Sequence, residues 1–381
     1  MRYALQSLLV LVLLGSGAPG RAAEAPRVAV YTMGPGADLF SRFGHAAICL
    51  HYRRATDDRC YNYGTADFDS PVPLTLGFLR GQALFWVDVS RPGEMLTAYR
   101  QNDRTIWRQN LPLSDAEALA IARRVARDAL PQNRFYVYRV FADNCATKIR
   151  DIVDDATGGR LRSDGGTHQT FRQLIRPGFA SEPLILFALD LFAGRASDRE
   201  CTPWQAMFLP HLLRTALERH FGARPIVVYR RRGRPFSRIP PPVWYGWILL
   251  AALLATPIAV ARWRELRGLP LRLAIALPTL VLTLISLAIW TLVLFSTPQE
   301  LRWNEAALLF WPSDILLPFL GDSWRRRYAR IRLSSFVILI VLLAIGVLHQ
   351  PLSSPLASAL APLSLLAVDR EDNAVDATVE C

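Results

Sequence analysis

Two residues of this chain have the right types to perform covalent chemistry together: Cys145, in Asp143-Asn-Cys-Ala-Thr147, and His45, in Phe43-Gly-His45. A thiol attacks as its thiolate. That form is favoured at a helix N-terminus by unpaired backbone N–H groups and the macrodipole, and a neighbouring imidazole can accept the proton. Cys145 opens a helical pattern that runs to Ala156 and stops at Gly158-Gly159, so the chemistry implied is acyl transfer or hydrolysis. Its own backbone N–H is a candidate oxyanion donor, and Asn144 is either the helix cap or a second donor. Taken alone, each has a blander account: a lone cysteine is commonly a small buried hydrophobe, and a histidine on an apolar strand a core residue.

A third group is expected to orient His45. The following strand supplies Tyr61, Asn62 and Tyr63, and alternation turns only one or two of them toward a site. Asn62 is favoured and Tyr61 comes next; a structural aromatic pair is the alternative for the tyrosines. Ser41 and Arg42 either contact a polar substrate group or are solvated loop residues. His51, His168, His211 and His220 share no spacing, and no CxxC or His/Cys cluster has metal-ligand spacing, so no metal or cofactor is expected.

The elements that must position these groups fall in the first part of the chain. Val28 to Val89 reads as short strands rich in β-branched and aromatic residues, punctuated by Gly, Asp and Pro. Ser114-Asp-Ala-Glu117 is a capping box that opens an apolar-periodic helix toward Leu130, where Pro131 ends it. Tyr136 to Phe141 is a strand or a loop, and Phe208 to His220 is a further helix. The pattern is that of an α+β domain over residues 24–225. Cys49 and Cys60 flank a turn-like segment and are either a disulfide across a hairpin or two buried thiols; of the five cysteines, Cys201 and Cys381 lack obvious partners.

The chain begins with a short apolar core followed by small residues through Ala23, as an export signal does, with an uncleaved anchor as the alternative. A basic, Pro-rich linker is expected over residues 226–243, a membrane domain of four or five helices over 244–368, and a tail over 369–381. Trp244 to Ala261 and Leu273 to Ser296 are long enough to span; Leu333 to Leu348 is shorter. The arginines of 262–272 and 325–332 belong on one side by loop charge, which requires Ala306 to Leu320 to cross despite Pro312, Asp314 and Pro318. Asp314 is either a functional polar site or a turn near the interface. A net charge of +12 raises the possibility of nucleic acid, but the excess arginine sits beside apolar segments, so membrane topology accounts for it and no nucleic-acid partner is expected.

Phe40-Ser-Arg-Phe-Gly-His-Ala-Ala-Ile48, Tyr61-Asn-Tyr-Gly-Thr-Ala-Asp-Phe-Asp69, Phe78-Leu-Arg-Gly81, Asn110-Leu-Pro-Leu-Ser114 and Asp143-Asn-Cys-Ala-Thr147 occur in one order. In these motifs, over roughly residues 30–215, the chain resembles the extracytoplasmic domain of the Lnb-type lipoprotein intramolecular transacylases. The resemblance implies a permuted papain-like (NlpC-like) domain with histidine before cysteine, Cys145 as nucleophile and His45 as base. It also implies a periplasmic domain held at the inner membrane, with lipid-modified proteins and membrane lipid as partners. The implied reaction moves an acyl chain from the glycerol sn-2 oxygen of a diacylglyceryl lipoprotein to its N-terminal cysteine amine through a Cys145 thioester. Asp190, Asp198 and Phe208-Leu-Pro210 fit the family's later pattern, where packing and docking to membrane helices are expected. The rivals are a cell-wall cysteine amidase or peptidase using the same dyad, and a non-catalytic membrane scaffold.

Overall fold

A computed structural model of the chain describes residues 24–162 and 166–368. The expected export signal, the tail and Cys381 lie outside the described residues. The first part of the chain is built on a seven-stranded sheet in the order β6-β4-β3-β2-β1-β5-β7, every neighbouring pair antiparallel. The strands are β1 (Arg27–Met33), β2 (His45–His51), β3 (Arg59–Thr65), β4 (Leu84–Ser90), β5 (Ile106–Asn110), β6 (Phe135–Val137) and β7 (Ile226–Tyr229). The helices here are α1 (Pro71–Leu79), α2 (Pro92–Gln101), α3 (Asp115–Asp128), α4 (Cys145–Ala156), α5 (Phe171–Ile175), α6 (Pro183–Phe192), α7 (Pro203–Ala206) and α8 (Pro210–Phe221).

Strand alternation divides the sheet into two faces. Val28, Val30, Ala46, Ile48, Leu50, Tyr61 and Tyr63 point toward α3, α4 and α8, where they form the main core with Ile121, Ile149 and Leu213. Ala29, Tyr31, Ala47, Cys49 and Cys60 point the other way, toward Met95 of α2. Cys49 and Cys60 stand directly opposite on β2 and β3 and are joined as a disulfide. The capping box at α3 forms as the sequence implies: Ser114 Oγ accepts from Glu117 N and the Glu117 carboxylate accepts from Ser114 N at 2.7 Å.

The boundary of this sheet domain falls later than composition suggests. Ile226–Tyr229, placed by sequence in the linker, is an edge strand on β5. The basic run behind it is also tied down: the Asp103 carboxylate accepts from the Arg232 and Gly233 amides and the Tyr229 hydroxyl, each at 2.8 Å.

Beyond the linker, α9 (Trp244–Trp263), α10 (Leu269–Phe295), α12 (Asp322–Ala344) and α13 (Ser353–Ala367) pack as a bundle, with the short α11 (Gln299–Arg302) after α10. Of these, α9 and α10 are long and apolar enough to cross a membrane. At one end of the bundle Arg262 and Arg330 donate to the carbonyls of Val368 and Ala367; at the other the Glu305 carboxylate accepts from the His349 and Gln350 amides. Residues 306–320 join the two ends without forming a spanning helix, contrary to the helical crossing expected from loop charge. They form two short 3₁₀ turns, because Pro312 and Pro318 each remove a backbone donor. The segment is held instead by side chains. Asp314, fully buried, accepts from Arg332 Nε at 2.9 Å and the Tyr328 hydroxyl at 2.8 Å, and Arg332 also donates to Leu309 O. Asp314 is therefore half of a buried ion pair rather than a turn at an interface.

Candidate active site

The histidine and cysteine approach each other from opposite sides of the sheet, at one strand end. His45 is the first residue of β2 and follows Gly44, whose φ of +87° is open to glycine; a Cβ there would lie 2.5 Å from Met33 O. Cys145 is the first residue of α4 and lies against Gly64, at the β3 bulge, where φ is +97°. Two glycines thus open the sheet end on either side of the pair. His45 and Cys145 line one cavity of about 80 Å³, together with Gly44, Gly64 and Asn144. Cys145 is buried at the inner end, 8% exposed, whereas Phe40 and Phe68 of the same lining are exposed.

His45 stacks on Tyr99 of α2 with ring centroids 5.8 Å apart, and Asn62 acts on its imidazole to favour the protonated form. The Asn62 amide nitrogen donates to Ser90 Oγ at 3.2 Å, which fixes the side chain. His45 Nε2 is buried and has no partner among the described residues. The same alternation that brings Asn62 to this face sends Tyr61 to the other, where it packs into the main core and does not line the cavity. Tyr61 is thus not a site residue, and Tyr63 donates to Asp128 in the core instead.

Asn144 is the cap and not an oxyanion donor. Its side-chain oxygen accepts from Ala146 N and Thr147 N, and its two amide hydrogens go to Val140 O at 2.8 Å and Phe208 O at 2.9 Å. A primary amide has two N–H donors and both are used. By contrast, the Cys145 N–H is in the first turn, where a helix offers no acceptor.

Burial drives both titrating groups toward neutrality. It raises the Cys145 thiol above its ordinary value, opposed by the Ala46 and Ala146 amides and by the charge of Arg104. It lowers His45 to about 3, reinforced by Arg104 and opposed by Asn62. Both directions favour a neutral thiol and a neutral imidazole in the one cavity.

Arg104 is a residue that sequence reasoning missed. It is 8% exposed, donates from Nε to Gly34 O at 2.8 Å, lies over the Tyr99 ring at 4.8 Å, and leaves Nη2 buried without a partner. Nothing local marks it, since an arginine after Asn102-Asp103 reads as a solvated turn residue. Arg42, weighed from sequence as a substrate contact, is bound to Glu182 and Ser181, each at 2.6 Å, and Ser41 to Asp38 O at 3.0 Å; neither lines this cavity. His51 pairs with Asp58 at 2.7 Å, remote from the cavity. Asp198 binds Arg172 at 2.7 Å and Asp190 binds Arg176, and Arg172 further donates to Ala193 O, so these acids fasten α6.

Residues 21–177 match the family model described as the Lnb N-terminal periplasmic domain. This part of the chain is an Lnb-type domain. No curated protein and no solved structure matches the chain. The matched segment holds β1 to β6, α1 to α4, and all of His45, Asn62, Arg104 and Cys145. The Lnb-type domain is a mixed α/β unit on an antiparallel sheet, and it joins a chain with two apolar helices of membrane-crossing length. Beyond the match, α6 packs Phe187 on Trp247 of α9 at 3.8 Å, and Asn304 donates to Leu191 O, so the domain and the bundle share a contact.

Proposed function

We propose that the chain is a membrane-bound cysteine acyltransferase acting on lipid-modified proteins, with Cys145 as nucleophile, His45 as base and Asn62 as the group that orients the imidazole. One observation carries this reading: the cavity that holds the pair has aromatic walls continuous with apolar surface that reaches the helical bundle. Phe85 stacks on Tyr138 at 4.2 Å, and Phe68 and Phe78 pack edge-on to Phe85. Phe40, 44% exposed, lies on Phe68 and Phe78. Phe78 belongs to α1, whose Val72 and Leu76 are exposed, and whose last residue, Leu79, accepts a hydrogen bond from Thr297 N just after α10. An acyl chain coming from a bilayer would meet apolar side chains up to the sulfur, whereas a soluble cell-wall peptide would find few polar partners there.

In the proposed reaction the Cys145 sulfur attacks the sn-2 ester carbonyl of a diacylglyceryl lipoprotein while His45 takes the thiol proton. The Cys145 N–H stabilises the oxyanion, and His45 returns the proton to the departing glycerol oxygen, leaving a thioester. The α-amine of the lipidated cysteine then attacks the thioester, and its proton passes through His45 to the sulfur. The products are an N-acylated lyso-lipoprotein and the free enzyme. We read the order of histidine before cysteine, on a sheet capped by the Cys145 helix, as a permuted papain-like arrangement, with the domain on the periplasmic side of a multi-pass inner-membrane protein.

Mass spectrometry of lipoprotein N-termini from cells with wild-type or Cys145→Ala protein tests this. Lyso-form lipoproteins that require Cys145 are expected. Unchanged lipoproteins with altered cell-wall peptides would favour the amidase reading, and full biological activity of a folded Cys145→Ala variant would favour a scaffold.

A further inference from the structure

A second, larger cavity of about 300 Å³ lies beside the catalytic one; Phe43, Leu209 and Pro210 line both. Its ionisable lining consists of Arg42, His211, Arg214 and Arg238, with no carboxylate. Arg42 is neutralised by Glu182. The side chains of Arg214 and Arg238 have no hydrogen-bond or ion-pair partner among the described residues, and the Arg214 guanidinium lies over the Trp107 ring at 3.9 Å. The guanidinium groups of Arg214, partly buried, and Arg238, exposed, repel each other at this site, a cost that an anion reduces. After burial, the charge of Arg238 is the next cause that lowers the Arg214 pKa, and Glu218 is the acid that opposes it. The same two arginines, after burial, help to hold His211 down to about 4, leaving it a neutral hydrogen-bonding group.

Two further features define the anion. Pro210, His211 and Leu212 line the cavity at the N-terminus of α8, a helix of 12 residues with no side-chain cap; Pro210 carries no N–H and the Leu212 and Leu213 amides donate to Leu209 O, so the His211 N–H is the one that adds to the positive potential. Planar guanidinium forks with a helix N-terminus suit a phosphate. The remaining wall combines apolar Met33, Phe43, Trp107, Leu174 and Phe236 with hydrogen-bonding Gln169 and Gln173. Arg238 also stands six residues before Trp244, the start of a helix long and apolar enough to span, with Ile239 85% exposed just after it and Tyr245 60% exposed in the helix's first turn. Exposed apolar side chains beside a cationic cavity suit the surface of a bilayer.

We infer that this cavity binds a phosphate group through Arg214 and Arg238, and that the group is the headgroup phosphate of an anionic glycerophospholipid. The site would hold the domain against the bilayer with the catalytic cavity one wall away, across Phe43. This inference does not depend on the acyl-transfer reading, so it is tested in a Cys145→Ala background, where turnover is absent. Native mass spectrometry of the full chain in detergent, titrated with phosphatidylglycerol or phosphatidylcholine, reads the binding. Phosphatidylglycerol is expected to bind more tightly than phosphatidylcholine, to be displaced by inorganic phosphate, and to bind at least tenfold more weakly to Arg214→Gln and to Arg238→Gln. The surface variant Arg123→Gln should bind as the parent does. Arg238→Gln, on the linker, carries the test if Arg214→Gln fails to fold. Binding of inorganic phosphate without phosphatidylglycerol would keep the site and overturn the lipid source. Equal retention of the two lipids, or undiminished retention in both arginine variants, would overturn the site.

Discussion

The neutral resting state of the Cys145 and His45 pair makes a quantitative prediction. His45 is partly buried and held at about 3, against 6.5 in an unfolded chain. Above pH 6.5 neither state binds the proton. Between 6.5 and about 3 the unfolded imidazole takes a proton that the folded one refuses, so stability falls as the pH falls through that window. At 1.36 kcal/mol per unit, the 1.5 units between 6.5 and pH 5 amount to about 2 kcal/mol. The perturbation is His45→Gln, which keeps a hydrogen-bonding side chain and removes the titration. His211, held down to about 4, adds a slope of its own, so the informative quantity is the difference between wild type and variant. Urea unfolding of the full chain in detergent at pH 7 and pH 5 should show the wild type losing about 2 kcal/mol more than His45→Gln. With 6 histidines in the chain, the His45 ring resonance can also be assigned by its loss in the variant and titrated by NMR. An imidazole that titrates at or above 6.5, or equal acid sensitivity of the two proteins, would refute the neutral pair and mean that the thiolate–imidazolium form is already present.

Three further changes probe the supports of the site. Asn144→Ala removes a cap and orphans the carbonyls of Val140 and Phe208, an expected loss of about 2–4 kcal/mol; Asn144→Asp, which keeps the acceptor, should fall between the two in thermal unfolding midpoint. Replacing Cys49 and Cys60 together with serine releases a short loop and should cost about 2–3 kcal/mol, with reductant lowering the wild-type midpoint to match. In the bundle, Asp314→Leu strands the buried Arg332 and should cost about 3–5 kcal/mol, whereas Asp314→Leu with Arg332→Met should recover most of it. If the double variant is no more stable than the single one in detergent unfolding, the cost arises from packing and not from the unpaired charge.

What the sequence revealed of this site, and what it concealed, divides along the range of the interactions. The helix start at Cys145, its cap at Asn144, the box at Ser114 and the choice of Asn62 over its neighbours all rest on spacings of one to four residues, and those are visible in a string of letters. Alternation also contained the reason to discard Tyr61, since a side chain one place from Asn62 must face the other way; the sheet end supplied the missing fact of which face holds His45. The saturation of Asn144 was hidden because one acceptor, Phe208 O, is 64 positions away. Arg104 was hidden because its partners, Gly34 and Tyr99, come from different elements, and β7 because an adjoining run of arginines dominated the composition. Asp314 shows the same limit from the other side. As a lone acid in an apolar stretch it invited a functional account, yet its partner Arg332 is 18 residues on, in a helix whose basic half had been read as loop. A buried charge carries little information until its counter-ion is known. Arg214 and Arg238 differ from Asp314 in that respect: the fold brings them to one cavity and provides no counter-ion there, which is why they, and not Asp314, point to a ligand.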